Sequence, residues 1–365
     1  GDVYKRQFLD RVKTKYSGLN STELAISESQ ERMAVVVEAK DVARFMEYCR
    51  EENIEAVEVA DVTDTARMRM FNKGRKVVDL AREFIDSAGA KHYAEAMIGE
   101  VENRDPFARE VVGATFAERF EENLRDNNVV SQRGLIEMFD STIGRSTVLM
   151  PFGGRTQGSE TQVSVQKLPT DGYTDTASIM AFGYNPYLAS WSPYHGAAYA
   201  VVEAAAKVVA AGARYDRMRY SYQEYFERMT RDPRSWGKPL GALLGALKMQ
   251  EALGLPSIGG KDSMSGSFLD LDVPPTLISF AIAPAKAGEV LTPEFKGAGH
   301  PVYLLPGFPS YGELKTAWDS FHQLCRQGKV KAAWAVEAGV LTATSLDTLA
   351  PGQAATRVQT AQALL

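Results

Sequence analysis

Small apolar residues recur at helical spacing between Pro193 and Gly212. Ala198, Val201, Val202, Ala205, Val208 and Val209 fall on one face, so a helix is predicted there. A second helix, carrying Gly241, Ala242, Gly245 and Ala246, ends at the stop Gly254-Leu255-Pro256. Its glycines and alanines would let another backbone approach closely, which offsets a helix-propensity cost of about 1 kcal/mol per glycine. Lys40–Asn53 reads as an amphipathic helix with Val42, Phe45, Met46 and Cys49 on one face. Gly312–Gly328 reads the same way through Leu314, Trp318, Phe321, Leu324 and Cys325.

β-branched or alternating runs predict strands at Ala34–Glu38, Ile54–Val62, Ser146–Met150, Thr161–Gln166, Thr176–Gly183 and Thr276–Ala283. Another strand begins within 300–306, and Val330–Glu337 fits strand or helix. Asn185-Pro186 reads as a turn. Residues 72–112, with Lys73-Gly74-Arg75-Lys76, read as a charged, helical connector whose charges form a solvated face. The strand–helix–strand pattern of 34–62 suggests a small α/β sandwich domain, and the length allows two or three domains.

Composition narrows this only by exclusion. The chain has 365 residues, 45% hydrophobic and 24% charged, with a net charge of −5. That balance builds ordinary cores and gives no reason to expect nucleic-acid binding. Cys49 and Cys325 are the only cysteines, too few for a disulfide framework or a zinc site, and a reducing cytoplasm fits. No apolar run approaches the length of a membrane span, and no membrane partner is expected. The ends do not read as those of a complete gene product. Residue 1 is Gly1, residues 1–7 read as a foreign leader, and 341–365 as an atypical tail.

Candidate chemistry gathers in a few places. In Ser257-Ile258-Gly259-Gly260-Lys261-Asp262-Ser263, paired glycines would free backbone N–H groups for an anion. Lys261 adds positive charge, Asp262 a hard oxygen ligand, and Ser263 a hydroxyl. A plain turn before a strand accounts for the same residues equally well. Glu28-Ser29-Gln30 taken alone is a solvated loop. Asp140-Ser141-Thr142 suits a helix cap or a ligand contact. Gln223 falls in a loop after the first long helix. Glu203 and Lys207 stand one helical turn apart, a spacing that suits a Glu-to-Lys pair. His195 precedes a helix and reads as structural, and His92 as surface.

Four blocks together are more specific than any one: ISESQERM (26–33), FDSTIG (139–144), YHGAAYAVVEAAAKVVAAG (194–212) and GLPSIGGKDSMSGSF (254–268). In this order the chain resembles phosphoribosylformylglycinamidine synthase in its large single-chain form. The resemblance implies an α+β fold of tandem, aminoimidazole-ribonucleotide-synthetase-like architecture, with a ferredoxin-like barrel-forming domain flanked by α/β sandwich domains. Residues 8–105 would be the end of the first sandwich domain plus connector, 106–298 the second barrel-forming domain, and 299–365 a truncated second sandwich domain.

The same resemblance implies an ATP-dependent, glutamine-using ligase of purine biosynthesis, with ATP and Mg2+ as cofactors and formylglycinamide ribonucleotide as substrate. Glu28, Ser29, Gln30 and Ser263 would bind that substrate. Gly260, Lys261, Gln223 and Asp140 would bind nucleotide, and Glu203 and Asp262 metal. The catalytic histidines and the glutaminase set would belong to a missing N-terminal half and glutaminase domain, leaving no catalytic residue here and a chain inactive by itself. Two positions depart from the family. Lys207 and Lys261 stand where relatives carry metal-binding asparagines, and an ammonium has no lone pair to give a metal. Lys207 would instead neutralise Glu203 or a phosphate. A non-catalytic half with a vestigial or permanently occupied nucleotide site is therefore the alternative. A related ATP-dependent enzyme such as aminoimidazole ribonucleotide synthetase is a second, against which ESQERM argues.

Overall fold

The computed structural model describes residues 5–27, 32–87, 93–107, 112–303 and 310–336, with the backbone of 342–343 and 349–350. Glu28, Ser29 and Gln30 lie outside the described residues. The chain divides into two compact units, Gly1–Tyr93 and Ala94–Leu365.

The first unit contains β1 (Lys5–Phe8), α1 (Ser21–Ile26), α2 (Val42–Glu51), β2 (Ala60–Val62), β3 (Arg67–Asn72), β4 (Arg75–Ala81) and α3 (Arg82–Asp86), with sheet order β2-β1-β3-β4. α2 follows its sequence pattern, since Val42, Phe45, Met46 and Cys49 are its half-buried positions. The hairpin β3–β4 was not expected. Lys73 and Gly74 take φ of +50° and +78°, the paired left-handed residues that a two-residue hairpin turn requires. Asp79, within the stretch read as a connector, gathers charges from both strands. Arg67 and Arg69 donate to Asp79 Oδ1 at 2.5 and 3.3 Å, and Lys76 to Oδ2 at 2.7 Å.

Two further expectations change. Ala34–Glu38 forms no strand, because no described strand pairs with it and Val35 and Val36 stay exposed. The strand expected over Ile54–Val62 shrinks to β2. Lys5, Arg6 and Gln7, within the stretch read as a foreign leader, supply rungs of the sheet: Lys5 pairs with Val62 and Arg6 with Arg69.

The second unit is built on β5 (Ser164–Lys167), β6 (Thr176–Gly183), α4 (Pro186–Trp191), α5 (Pro193–Ala210), β7 (Arg219–Tyr225), α6 (Pro233–Leu253), β8 (Ser257–Lys261), β9 (Thr276–Lys286) and α7 (Tyr311–Arg326). Its sheet runs β8-β7-β9-β6-β5. β7 and β8 are parallel and the other neighbours antiparallel. Period-two alternation sends Ala177, Ile179, Ala181, Tyr220, Tyr222, Glu224, Leu277, Ser279, Ala281 and Ala283 to one buried side. α5 packs on the sheet, and α6 on α5, through small residues. A Cβ on Gly183 would lie 2.2 Å from the Ala200 carbonyl oxygen, and one on Gly245 2.0 Å from that of Tyr194. The other side carries half-exposed Met180, Phe182, Tyr225 and Ile282.

Asn185-Pro186, expected as a turn, opens α4. The Asn185 side chain accepts from Tyr187 N and Leu188 N, and Pro186 takes the first helical position. Ser146–Met150 gives a single bridge, Thr147 to Gln166, and Thr161–Gln166 shifts to β5. Residues 94–107 belong with the second unit, short of the boundary expected at 105/106. Met97 N donates to Pro233 O at 2.8 Å, and Trp191 Nε1 to Glu102 O at 2.9 Å. α7 also joins this unit, burying Leu314 and Trp318 while Leu324 stays exposed. Lys315 Nζ donates to Ala252 O at 3.1 Å, at the end of α6. Residues 301–303 have no regular structure and 304–306 lie outside the described residues. Residues 330–336 are irregular too, held by a reciprocal pair in which Gln162 Nε2 donates to Ala335 O and Ala335 N donates to Gln162 Oε1.

Candidate functional site

The glycine stretch expected as an anion-binding turn is an exposed parallel edge strand, β8. Tyr222 pairs with Gly260 and Gln223 with Lys261, after an irregularity between Ser257 and Gly259. Pairing along one side holds the stretch extended, so the turn does not form. Glycine is required at 260, since a Cβ there would lie 2.3 Å from the Tyr222 carbonyl oxygen. Gln223, expected in a loop, lies in β7, because the alternation Tyr220-Tyr222-Glu224 makes a strand of that segment. The pairing brings Gln223 and Lys261 together, with Gln223 Nε2 donating to Lys261 O at 3.4 Å.

Asp262 and Ser263 follow β8 directly. Ser263 is half-buried and accepts at its carbonyl from Phe226 N at 2.9 Å, which fixes it at the end of β7. Asp262 is exposed. Gly260, Lys261, Asp262, Ser263 and Gln223 therefore share one edge of the sheet.

Asp140 sits elsewhere. Its Oδ1 accepts from Thr142 N at 2.8 Å and Thr142 Oγ1 at 2.6 Å, and the hydroxyl, then the N–H, hold its carboxyl below the usual range. The neighbouring Ser141 carbonyl accepts from Thr147 Oγ1 at 2.5 Å, and Thr147 bridges to β5. β5 is the edge opposite β8, four strand spacings or roughly 19 Å away. The structure does not bring Asp140 to the other expected nucleotide residues.

Glu203 and Asp262 are separated as well. Lys207 Nζ lies 2.6 Å from Glu203 Oε1 and donates to the Phe182 carbonyl on β6 at 3.1 Å. β6 is three places from β8 in the sheet. Lys207 is 5% exposed and engaged by Glu203 and the Phe182 carbonyl, so its ammonium is not presented to solvent. A carboxylate already joined to an ammonium does not fit a divalent ion. Among the described residues no three His, Cys, Asp or Glu side chains gather as metal ligands.

One residue was missed. Glu224 points inward from β7, 6% exposed, with Oε1 lacking a hydrogen-bond partner. Burial, and secondarily the nearby Asp262 charge, pushes its carboxyl up to about 7. The alternation that buries Tyr220 and Tyr222 was the available signal. Tyr220 OH, Tyr222 OH and Ser279 Oγ on the same side also lack partners among the described residues. His195 is buried against Trp191, with Nδ1 2.8 Å from Ser192 Oγ, and burial lowers its affinity for a proton.

With the geometry in place, comparison with known proteins gives a consistent picture. The family "AIR synthase related protein, C-terminal domain" matches residues 6–73. The phosphoribosylformylglycinamidine synthase subunit PurL of Thermoplasma acidophilum is 25% identical over 303 residues, covering 81% of this chain and 38% of that protein. PurL of a Nocardioides species is 30% identical over 230 residues, 58% of this chain and 28% of that protein. Thermotoga maritima PurL complexed with ATP superposes with a TM-score of 0.61 at 22% identity, covering 90% of this chain and 50% of that one. The same protein complexed with FGAR gives 0.62 at 21% identity, covering 90% and 48%. The likeness to these structures establishes the α+β fold. The chain spans half or less of the length of the relatives it matches.

Proposed function

We propose that this chain, a relative of phosphoribosylformylglycinamidine synthase, works as part of the ATP-dependent ligase that converts formylglycinamide ribonucleotide to formylglycinamidine ribonucleotide in purine biosynthesis, with glutamine as amide donor. The observation that carries this reading is continuity. An alignment of 303 residues with a single kind of curated relative necessarily includes both units.

The β8 edge is the nucleotide side. Lys261 contributes positive charge, Gln223 a carboxamide next to it, and Gly260 a backbone with no side chain in the way. The Glu28-Ser29-Gln30 triplet brings carboxylate, hydroxyl and amide groups suited to a sugar and an amide, and Ser263 brings a hydroxyl; each is assigned in this proposal as a contact for formylglycinamide ribonucleotide. ATP supplies the phosphoryl group that activates the substrate's amide oxygen. The residues of this chain bind and orient, and catalytic acid–base and glutaminase groups come from other parts of the enzyme. The half-exposed apolar side of the second sheet supports a partner half docking there. The chain alone has no synthase activity in this account. No described helix is long and apolar enough to cross a membrane, and a cytoplasmic setting belongs to the same proposal.

The Glu203–Lys207 pair favours a second reading, in which this half holds nucleotide as a structural element or none. Nucleotide analysis of the denatured protein, with calorimetric titration of ATP, separates the two. Exchangeable ATP, weakened by Gln223→Ala and Lys261→Ala, supports the ligase reading. Tightly retained ADP supports the structural one, and absence of any nucleotide would defeat the assignment of the β8 edge.

A further inference from the structure

The family resemblance implies magnesium at Glu203, and the structure disagrees. α5 presents Glu203 and Lys207 one turn apart, and both side chains are largely buried, at 14% and 5% exposed. Rungs between β5 and β6 stop at Met180, so Phe182 lies beyond the last of them. Lys207 reaches this end of β6. Its Nζ donates to the Phe182 carbonyl at 3.1 Å and stands 4.9 Å from the Phe182 ring centroid, while lying 2.6 Å from Glu203 Oε1.

We propose that Lys207 is a tethered cation that takes the place of a divalent ion at Glu203, making this site independent of metal. A magnesium ion binds carboxylate oxygen at about 2.0–2.1 Å and keeps most of its water. With the ammonium on Glu203 Oε1, an ion would be left with Oε2 alone, and among the described residues no cluster of His, Cys, Asp or Glu completes a shell around it. Nor can the ammonium withdraw cheaply, since it is held by a carbonyl and an aromatic face as well as by its counter-charge. Lysine also removes the freedom to lose the ion, because the cation is covalently part of the helix. The site is then permanently neutralised, at every metal concentration. The magnesium expectation only says where to look, and the test reads ion binding rather than synthesis, so its failure would leave the proposed function standing.

Manganese is the probe, followed by electron paramagnetic resonance of the free ion during titration of the full chain. The parental protein and Glu203→Gln should titrate alike, with no binding that depends on Glu203. Lys207→Asn, which trades the ammonium for a carbonyl oxygen, should gain one saturable Mn2+ site, lost again when Glu203→Gln is added. Glu203-dependent Mn2+ binding by the parental protein would overturn the proposal. So would a Lys207→Asn chain, shown folded by circular dichroism, that gains no site. If Lys207→Asn does not fold, the parental and Glu203→Gln comparison still decides.

Discussion

Gln223 and Lys261 are register partners on adjacent parallel strands, joined by a 3.4 Å hydrogen bond from the Gln223 amide to the Lys261 carbonyl. Two residues 38 positions apart in sequence thus present a carboxamide and an ammonium-bearing backbone at one sheet edge. The relationship depends on β8 lying flush against β7, and glycine allows that.

Gly260→Ala should therefore break the edge. The new Cβ would meet the Tyr222 carbonyl at 2.3 Å, and a backbone oxygen in a sheet cannot swing aside. The expected cost is about 1–3 kcal/mol, as for overpacking elsewhere. ATP affinity should fall along with the denaturation midpoint. A variant with unchanged stability and unchanged ATP titration would show that β8 does not lie where described.

Two other glycines should behave oppositely to helix propensity. Gly245 lies inside α6, where alanine alone would be favoured by about 1 kcal/mol. Its Cβ would meet Tyr194 O at 2.0 Å, however, so the clash wins and Gly245→Ala destabilises. Gly254, with φ +72° and nothing within 4 Å, loses only the left-handed preference, about 1–2 kcal/mol. Urea denaturation should place Gly245→Ala below Gly254→Ala, and the reverse order would contradict the α5–α6 packing.

Glu224 should make stability depend on pH. Its carboxyl is pushed up to about 7 in the fold, chiefly by burial, against an ordinary value near 4.5. Between these values the folded state holds more protons than the unfolded, so stability falls as pH rises through that window. The difference is on the order of 3 kcal/mol. Glu224→Gln, which stays neutral, should be more stable than the parent at pH 8 and nearly equal at pH 5. Parallel pH profiles for the two proteins would remove the effect from Glu224.

Lys207→Met should cost about 3–5 kcal/mol, because it removes the ammonium that lies 2.6 Å from a largely buried carboxylate. Adding Glu203→Gln should restore most of the loss. A double-mutant cycle with no coupling between the two positions would contradict the ion pair.

The parts legible in the sequence are those where one physical signal dominates. Thr176–Gly183, Thr276–Ala283 and the helices containing Val201 and Ala246 all follow from apolar periodicity, and each appears as a regular element. The hairpin at Lys73-Gly74 was hidden because its charges pair across strands, where sequence alone suggests a solvated helix. β7 was hidden because a glutamate shares the inward positions with two tyrosines. Ser257–Lys261 was hidden because glycine normally signals a turn, while here it permits close strand contact. Of the candidate site residues, those around Lys261 converge. Asp140 and Glu203 do not, because sequence order carries no information about which sheet edge a segment reaches.

The central claim is that this chain takes part in handling formylglycinamide ribonucleotide. Calorimetric titration of that nucleotide into the full chain, with ATP at saturation, tests it most directly. The account predicts saturable binding that is lost in Glu28→Ala and weakened in Ser263→Ala, with both variants retaining the parental circular dichroism. A chain that gives no heat of binding, or binds equally well in both variants, would contradict it.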